Sequence, residues 1–202
     1  MNIGKKLNRD FYTKDTLGIA RELLGKIFVK KYGDLTIAGK IVETEAYIGA
    51  CDESAHSFNG RTNRNKVMFY KGGYLYVYLI YGIHYCLNVV TGIAGEGNAV
   101  LIRALEPLHG IELMLKNRYS VQQLNTKKIL NLTNGPAKIC KSFSITTKQN
   151  GSDLLKSEIS IHEELHFSGK PEIKTSQRIG IKKSVDLPWR FYLKGNRFVS
   201  KK

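Results

Sequence analysis

The chain has 202 residues, of which 42% are hydrophobic and 24% charged, ordinary values for one globular domain with a real core. No stretch approaches eighteen apolar residues and MNIGKKLNRDFY holds no apolar signal region, which predicts a soluble, cytosolic protein rather than a membrane or secreted one. The balance of 32 Lys and Arg against 17 Asp and Glu, a formal net charge of +15, predicts a polyanionic partner, nucleic acid ahead of an anionic membrane surface.

Thr13 to Leu24 has helical spacing, with Leu17, Ala20, Leu23 and Leu24 as the apolar stripe, Thr13 or Asp15 as the cap and Gly25 as the stop. Lys26 to Lys31 and Leu35 to Ile48 read as strands joined by a turn at Tyr32-Gly33-Asp34. A polar, irregular segment runs from Gly49 to Asn65. The stretch YKGGYLYVYLIYGIHYCLN, Tyr70 to Asn88, then alternates with period two: Tyr74, Tyr76, Tyr78 and Ile80 share one face, Leu75, Val77 and Leu79 the other. Tyr81 falls on the second face with Leu75, Val77 and Leu79; with Tyr81-Gly82 interrupting the run and His84 to Val90 extended beyond, it reads as a β-hairpin. Tyr74 to Tyr78 fit a packed core. Tyr81 sits beside the turn, where there is little core to reach, and an aromatic there suits entry into a base stack.

Gly92 to Asn98 is glycine-rich but lacks the Lys-Ser/Thr of a phosphate-binding loop, so a hairpin loop is the better reading. Ala99 to Leu105 reads as a strand. Glu106-Pro107 opens a mostly helical region through Phe143, with helical spacing at Gly110 to Arg118 and a helix start at Asn134-Gly135-Pro136. Short strands are expected at Ile159 to Glu163, Arg178 to Ile181 and Arg190 to Leu193.

Chemistry has few places to sit. Cys51, Cys86 and Cys140 are odd in number and far apart, which suits a reducing compartment and no zinc ribbon or iron–sulfur site. Cys51 to His56 matches no established metal spacing. Period two puts Glu43, Glu45 and Tyr47 on one face of their strand, and two carboxylates inside a central strand are unusual. One can pair with a base such as Arg103, whose apolar strand demands an anionic partner; the other can serve as a general base. Periodicity alone does not choose between them.

Several motifs in order now resemble a known family: Glu43-Thr44-Glu45-Ala46-Tyr47, Asp52-Glu53-x-Ala55-His56-Ser57, Arg64-Asn65, Met68-Phe69, Leu75-Tyr76-Val77-Tyr78, Ile80-Tyr81-Gly82, Asn88, Leu101-x-Arg103-Ala104-Leu105-Glu106-Pro107 and Gly135-Pro136. Together they resemble the alkyladenine (3-methyladenine, methylpurine) DNA glycosylases, the single-domain type of vertebrates and many bacteria. The likeness runs from about Leu7 to Val199 and is looser in the last third, at Arg178-x-Gly180 and Arg190-Phe191-Tyr192.

The resemblance implies one compact α+β domain, residues 1–202, around a curved antiparallel β-sheet with peripheral helices and a protruding hairpin that enters the DNA minor groove. It implies that Glu45, not Glu43, activates water against the sugar C1′, with Arg103 beside that water and the target phosphate. Tyr47, His56 and Tyr78 would hold the extruded base, Asn88 would crowd the amino group of guanine, and Tyr81 would fill the gap in the stack. The expected enzyme is a monofunctional DNA glycosylase of base excision repair, acting as a monomer on double-stranded DNA with damaged purines and leaving an abasic site. No cofactor and no metal are expected. The runner-up is a non-catalytic basic nucleic-acid-binding module, which explains the charge and the tyrosines but not two aligned glutamates or Arg103.

Overall fold

The structure is a computed structural model in which residues 3–119, 125–165 and 172–201 are described. Its strands are β1 (Ile3–Lys6), β2 (Ile27–Tyr32), β3 (Leu35–Tyr47), β4 (Leu75–Ile80), β5 (His84–Thr91), β6 (Asn98–His109), β7 (Ile159–Glu164), β8 (Ile173–Ser176) and β9 (Arg190–Leu193). The helices are α1 (Arg9–Tyr12), α2 (Thr16–Glu22), α3 (Ile111–Tyr119), α4 (Thr126–Leu130) and α5 (Pro136–Ser142). The strands form one open antiparallel sheet in the order β1-β7-β2-β3-β6-β5-β4, with β9 also on β3 and β8 on β9. The result is the expected α+β domain. None of the described helices is long and apolar enough to cross a membrane.

β3 is the centre of this arrangement. Its first half pairs with β2, Glu43 to Glu45 pair with β9, and β6 follows its other edge. Strands therefore cover both sides of the two glutamates. Period two divides the sheet as the sequence requires. Val42 and Ala46, Leu75 and Val77, Leu87 and Val89, and Val100, Ile102 and Ala104 face a buried core that also takes in residues of α2, α3 and α5. Thr44, on that face, donates its hydroxyl to Ala20 O of α2 at 2.7 Å. Glu43, Glu45, Tyr47, Tyr76, Tyr78, Cys86, Asn88, Leu101 and Arg103 belong to the alternate set, and there the sheet meets a smaller core of Val67, Met68, Tyr76, Val90 and Ala99.

The β2–β3 turn, the β4–β5 hairpin and the Gly92–Gly97 loop lie where the sequence puts them. The helix expected over Thr13 to Leu24 is present but shortened to α2, and α1 is a further short helix lying before that stretch. Asp15 accepts from Gly18 N at 2.7 Å and caps α2, so its own backbone is extended, and α1 has its separate cap at Asn8. The helical reading from Glu106 is also corrected, because β6 continues to His109, with Lys40 opposite Glu106 and Gly39 opposite Pro107. β5 parts from β6 at Leu101, leaving one edge of β6 without a strand partner, and a proline is tolerated beside an open edge. Helices follow at α3, α4 and α5, while residues 120–124 of that region lie outside the described residues. Arg178 to Ile181 is not a strand; the nearby strand is β8, and Arg178 is held instead by a buried side-chain ion pair. β1, which lacks a legible alternation in its four residues, pairs with β7.

Candidate active site

The alternate face of β3, β4, β5 and β6 forms the floor of a cavity of about 460 Å³, within the range of small-molecule pockets. Tyr47, His56, Tyr78, Tyr81, Asn88 and Arg103 line it. Glu45 does not. Its fully buried carboxylate lies directly behind the wall, held by three donors that belong to lining residues. Oε2 accepts from the Tyr47 hydroxyl at 2.9 Å and from Arg103 Nη1 at 3.2 Å, and Oε1 accepts from Ile179 N at 2.7 Å. A carboxylate offers about four acceptor sites, so among the described residues Glu45 keeps one unused.

Glu43 is used up. Its Oε1 accepts from Arg103 Nε at 3.2 Å, Arg190 Nε at 2.7 Å and Ser200 Oγ at 2.9 Å, and its Oε2 from Ser200 N at 2.6 Å. Both carboxylates are buried, but their surroundings differ. Burial pushes the Glu45 carboxyl above its ordinary value, against the opposing pull of Arg103, Ile179 N–H and Tyr47. Arg103 goes the other way: burial favours its neutral form, yet Glu45 and Glu43 outweigh this and raise its pKa. It remains a cation fixed between the two glutamates.

The aromatic wall is a connected cluster. The rings of Tyr76 and Tyr78 stack at 5.3 Å, and His56 meets Tyr78 edge-on at 4.5 Å. His56 Nδ1 shares a hydrogen bond with the Tyr76 hydroxyl at 3.0 Å. Desolvation by the surrounding protein lowers the pKa of His56, and Arg64 adds to this, so the ring is neutral at physiological pH although part of it reaches solvent. Desolvation raises Tyr76 to about 12 and also lifts Tyr47 and Tyr78 well above the ordinary value, so all three keep their hydroxyl protons. Asn88 donates from Nδ2 to Tyr76 O, its cross-strand partner, at 3.2 Å. At the hairpin tip Tyr81 is 80% exposed with φ of 52°, a left-handed conformation, and Ile83 beside it is 70% exposed. Asp52 is committed to Arg178, which leaves it out of any metal site.

Residues 10–197 match the sequence pattern of the methylpurine-DNA glycosylase (MPG) family. The chain belongs to that family. A relative from Desulfitobacterium hafniense is 48% identical over 98% of this chain and 100% of its own length. Relatives from Alkaliphilus oremlandii and Clostridium perfringens are 46% and 44% identical, each over 98% of this chain and 100% of theirs. All three carry the name "Putative 3-methyladenine DNA glycosylase". The protein is thus a DNA N-glycosylase with DNA as its substrate, and not a non-catalytic binding module.

Sequence reasoning missed part of the glycosylase's cavity wall. Tyr76 was legible only as a core aromatic, because alternation says which face it takes and not what lies above that face. The segment Ile179 to Lys183 also lines the cavity, and Ile179 supplies a backbone N–H to Glu45. A backbone donor carries no side-chain signature, so no motif could have announced it.

Proposed function

We propose that this DNA glycosylase flips an alkylated or deaminated purine out of the duplex into the aromatic cavity and hydrolyses its N-glycosidic bond with water activated by Glu45. The observation that carries the assignment is the contrast between the carboxylates: Glu43 is saturated by donors, whereas Glu45 has a spare acceptor site beside a cavity lined by Arg103. A water there gives its proton to Glu45 as its oxygen bonds to C1′. The electrons of the C1′–N bond leave with the base, and the product is an abasic site. A cationic alkylated purine leaves as a neutral base and needs no proton donor, whereas a neutral purine such as hypoxanthine leaves as an anion that takes its proton from solvent. Arg103 steadies Glu45 and offers positive charge toward the target phosphate, while the glutamate stabilises the oxocarbenium-like sugar.

Tyr47, Tyr78 and His56 supply aromatic faces, which hold an electron-poor purine better than a normal one. Tyr81, exposed at the hairpin tip, fills the space the nucleotide vacates. Methylated purines, hypoxanthine and ethenoadenine all suit such a cavity, and free cysteines suit action in the cytosol. Incubation with alkylated duplex DNA, followed by alkali, tests the proposal. Strand cleavage that appears only after alkali is expected; cleavage without alkali would overturn the monofunctional reading, and intact DNA the whole of it.

A further inference from the structure

Asp52 and Arg178 touch neither substrate nor water in the scheme above, yet both side chains are fully buried. We infer that this ion pair is a positioning device for Glu45: it holds the Tyr47 hydroxyl and the Ile179 N–H, two of the three donors on the carboxylate. The inference rests on the reading of Glu45 as the general base.

The guanidinium is fixed from several directions. Nη1 donates to Asp52 Oδ2 and to Ala46 O at 3.0 Å; Nη2 donates to Asp52 Oδ1 at 2.8 Å and to Ser184 O at 3.3 Å. Asp52 is itself locked in a turn, its N–H bonded to Ile48 O at 3.0 Å and its Oδ1 accepting from Ser54 N at 3.0 Å. Held there, Arg178 lies over the Tyr47 ring at 4.7 Å and the Trp189 ring at 5.4 Å. One face of Tyr47 is thereby covered, and its hydroxyl reaches Glu45 Oε2. The peptide that leaves Arg178 carries the Ile179 N–H to Glu45 Oε1. Both donors therefore depend on where the guanidinium sits.

Burying two charges solely to tether loops is weakly justified, since apolar groups tether as well. Arg178 Nε is also buried with no partner among the described residues, so the placement does not satisfy every donor of the arginine there. What the placement does achieve is the alignment of Tyr47 and Ile179. Other groups near Glu45 come from separate elements: Arg103 from β6, Tyr78 from β4 and Cys86 from β5, while Arg190 on β9 is committed to Glu43.

The test is single-turnover base release against pH in the full-length protein, for Asp52→Asn and Asp52→Glu. Glutamate keeps both charges but lengthens the fork by one methylene. Weaker donation to Glu45 should raise its proton affinity, so the midpoint of the acid limb should move up by ~0.5–1 pH unit. The plateau rate should fall roughly tenfold, with duplex affinity little changed. A limb that stays at the wild-type midpoint in either folded variant would mean that the pair is only a tether, and the inference would be overturned. Wild-type release by Glu45→Gln would instead sink the general-base reading, whatever the Asp52 variants do.

Discussion

At the scale of single residues, two glutamates two positions apart on one strand have different donor sets, and the proposed division of their roles rests on that difference. Glu45→Gln should slow base release by ~10²–10⁴-fold while leaving duplex binding largely intact. Glu43→Gln should act on stability. It disturbs a carboxylate bonded to two buried arginines, and breaking such a pair costs ~3–5 kcal/mol. Calorimetry beside single-turnover rates separates the two, and equal catalytic losses would refute the division. The pH dependence follows from the direction of the Glu45 shift. A base must be ionised, and burial raises its pKa above the ordinary 4.5, so release should decline as pH falls through a midpoint higher than 4.5. A profile flat through that range would count against Glu45. Asn88 is anchored to its hairpin backbone and lines the cavity at once. Asn88→Ser should raise release of guanine relative to hypoxanthine, since guanine differs by an amino group that a fixed Asn would crowd at a cost of ~1–3 kcal/mol. An unchanged ratio of single-turnover rates would leave Asn88 with only its backbone bond.

At the scale of elements, the hairpin joins a buried stem to an exposed tip. Leu75 and Val77 anchor β4 in the main core, and Tyr76 stands in the second one. Tyr81 then sits beyond the core in a left-handed conformation that ordinary residues avoid, with Arg64 Nη2 bonded to Leu79 O at 3.2 Å just below it. An exposed side chain in a costly backbone conformation is a poor contributor to stability. Tyr81→Ala should therefore leave the melting temperature nearly unchanged while weakening lesion binding by ~1–3 kcal/mol, the worth of one aromatic–base stack. The loss should shrink for a target opposite a gap, where nothing needs to be wedged. Unfolding of this variant would show that Tyr81 belongs to the core after all.

At the scale of the whole molecule, a formal net charge of +15 sets how the glycosylase meets DNA before any lesion is found. Lys182 and Lys183 lie at the cavity, while Arg61, Arg64 and Lys66 are exposed on the segment before the hairpin. If about six phosphates are neutralised, affinity for undamaged duplex should drop roughly a thousandfold between 50 and 200 mM salt. A shallow slope in a fluorescence titration would mean that the charge is spread too widely to act together.

Local order was legible in the chain itself. Period two fixed which residues of β3 and β4 share a face, because alternation is a property of extended backbone, and the face that carries Glu45 and Tyr78 also receives Asn88 of β5 and Arg103 of β6 once those strands are paired. The positions of turns and caps were legible for the same reason: Gly33, Asp15 and Pro136 impose their conformations locally. The strand status of Glu106-Pro107 was not, since it depends on β3 lying alongside and β5 having departed. Nor did alternation separate Glu43 from Glu45, although the family motif did. Their physical difference is a count of donors, and those come from Arg190, Ile179 and Ser200, more than 130 residues away in the chain. Likewise, Asp52 and Arg178 are separated by 126 positions and become partners only when β9 docks on β3 and draws the preceding loop against its end. Sequence alone determined which side chains the sheet offers on each face; tertiary structure decided which of them are saturated and which are free to react, because hydrogen-bond capacity is filled by neighbours in space.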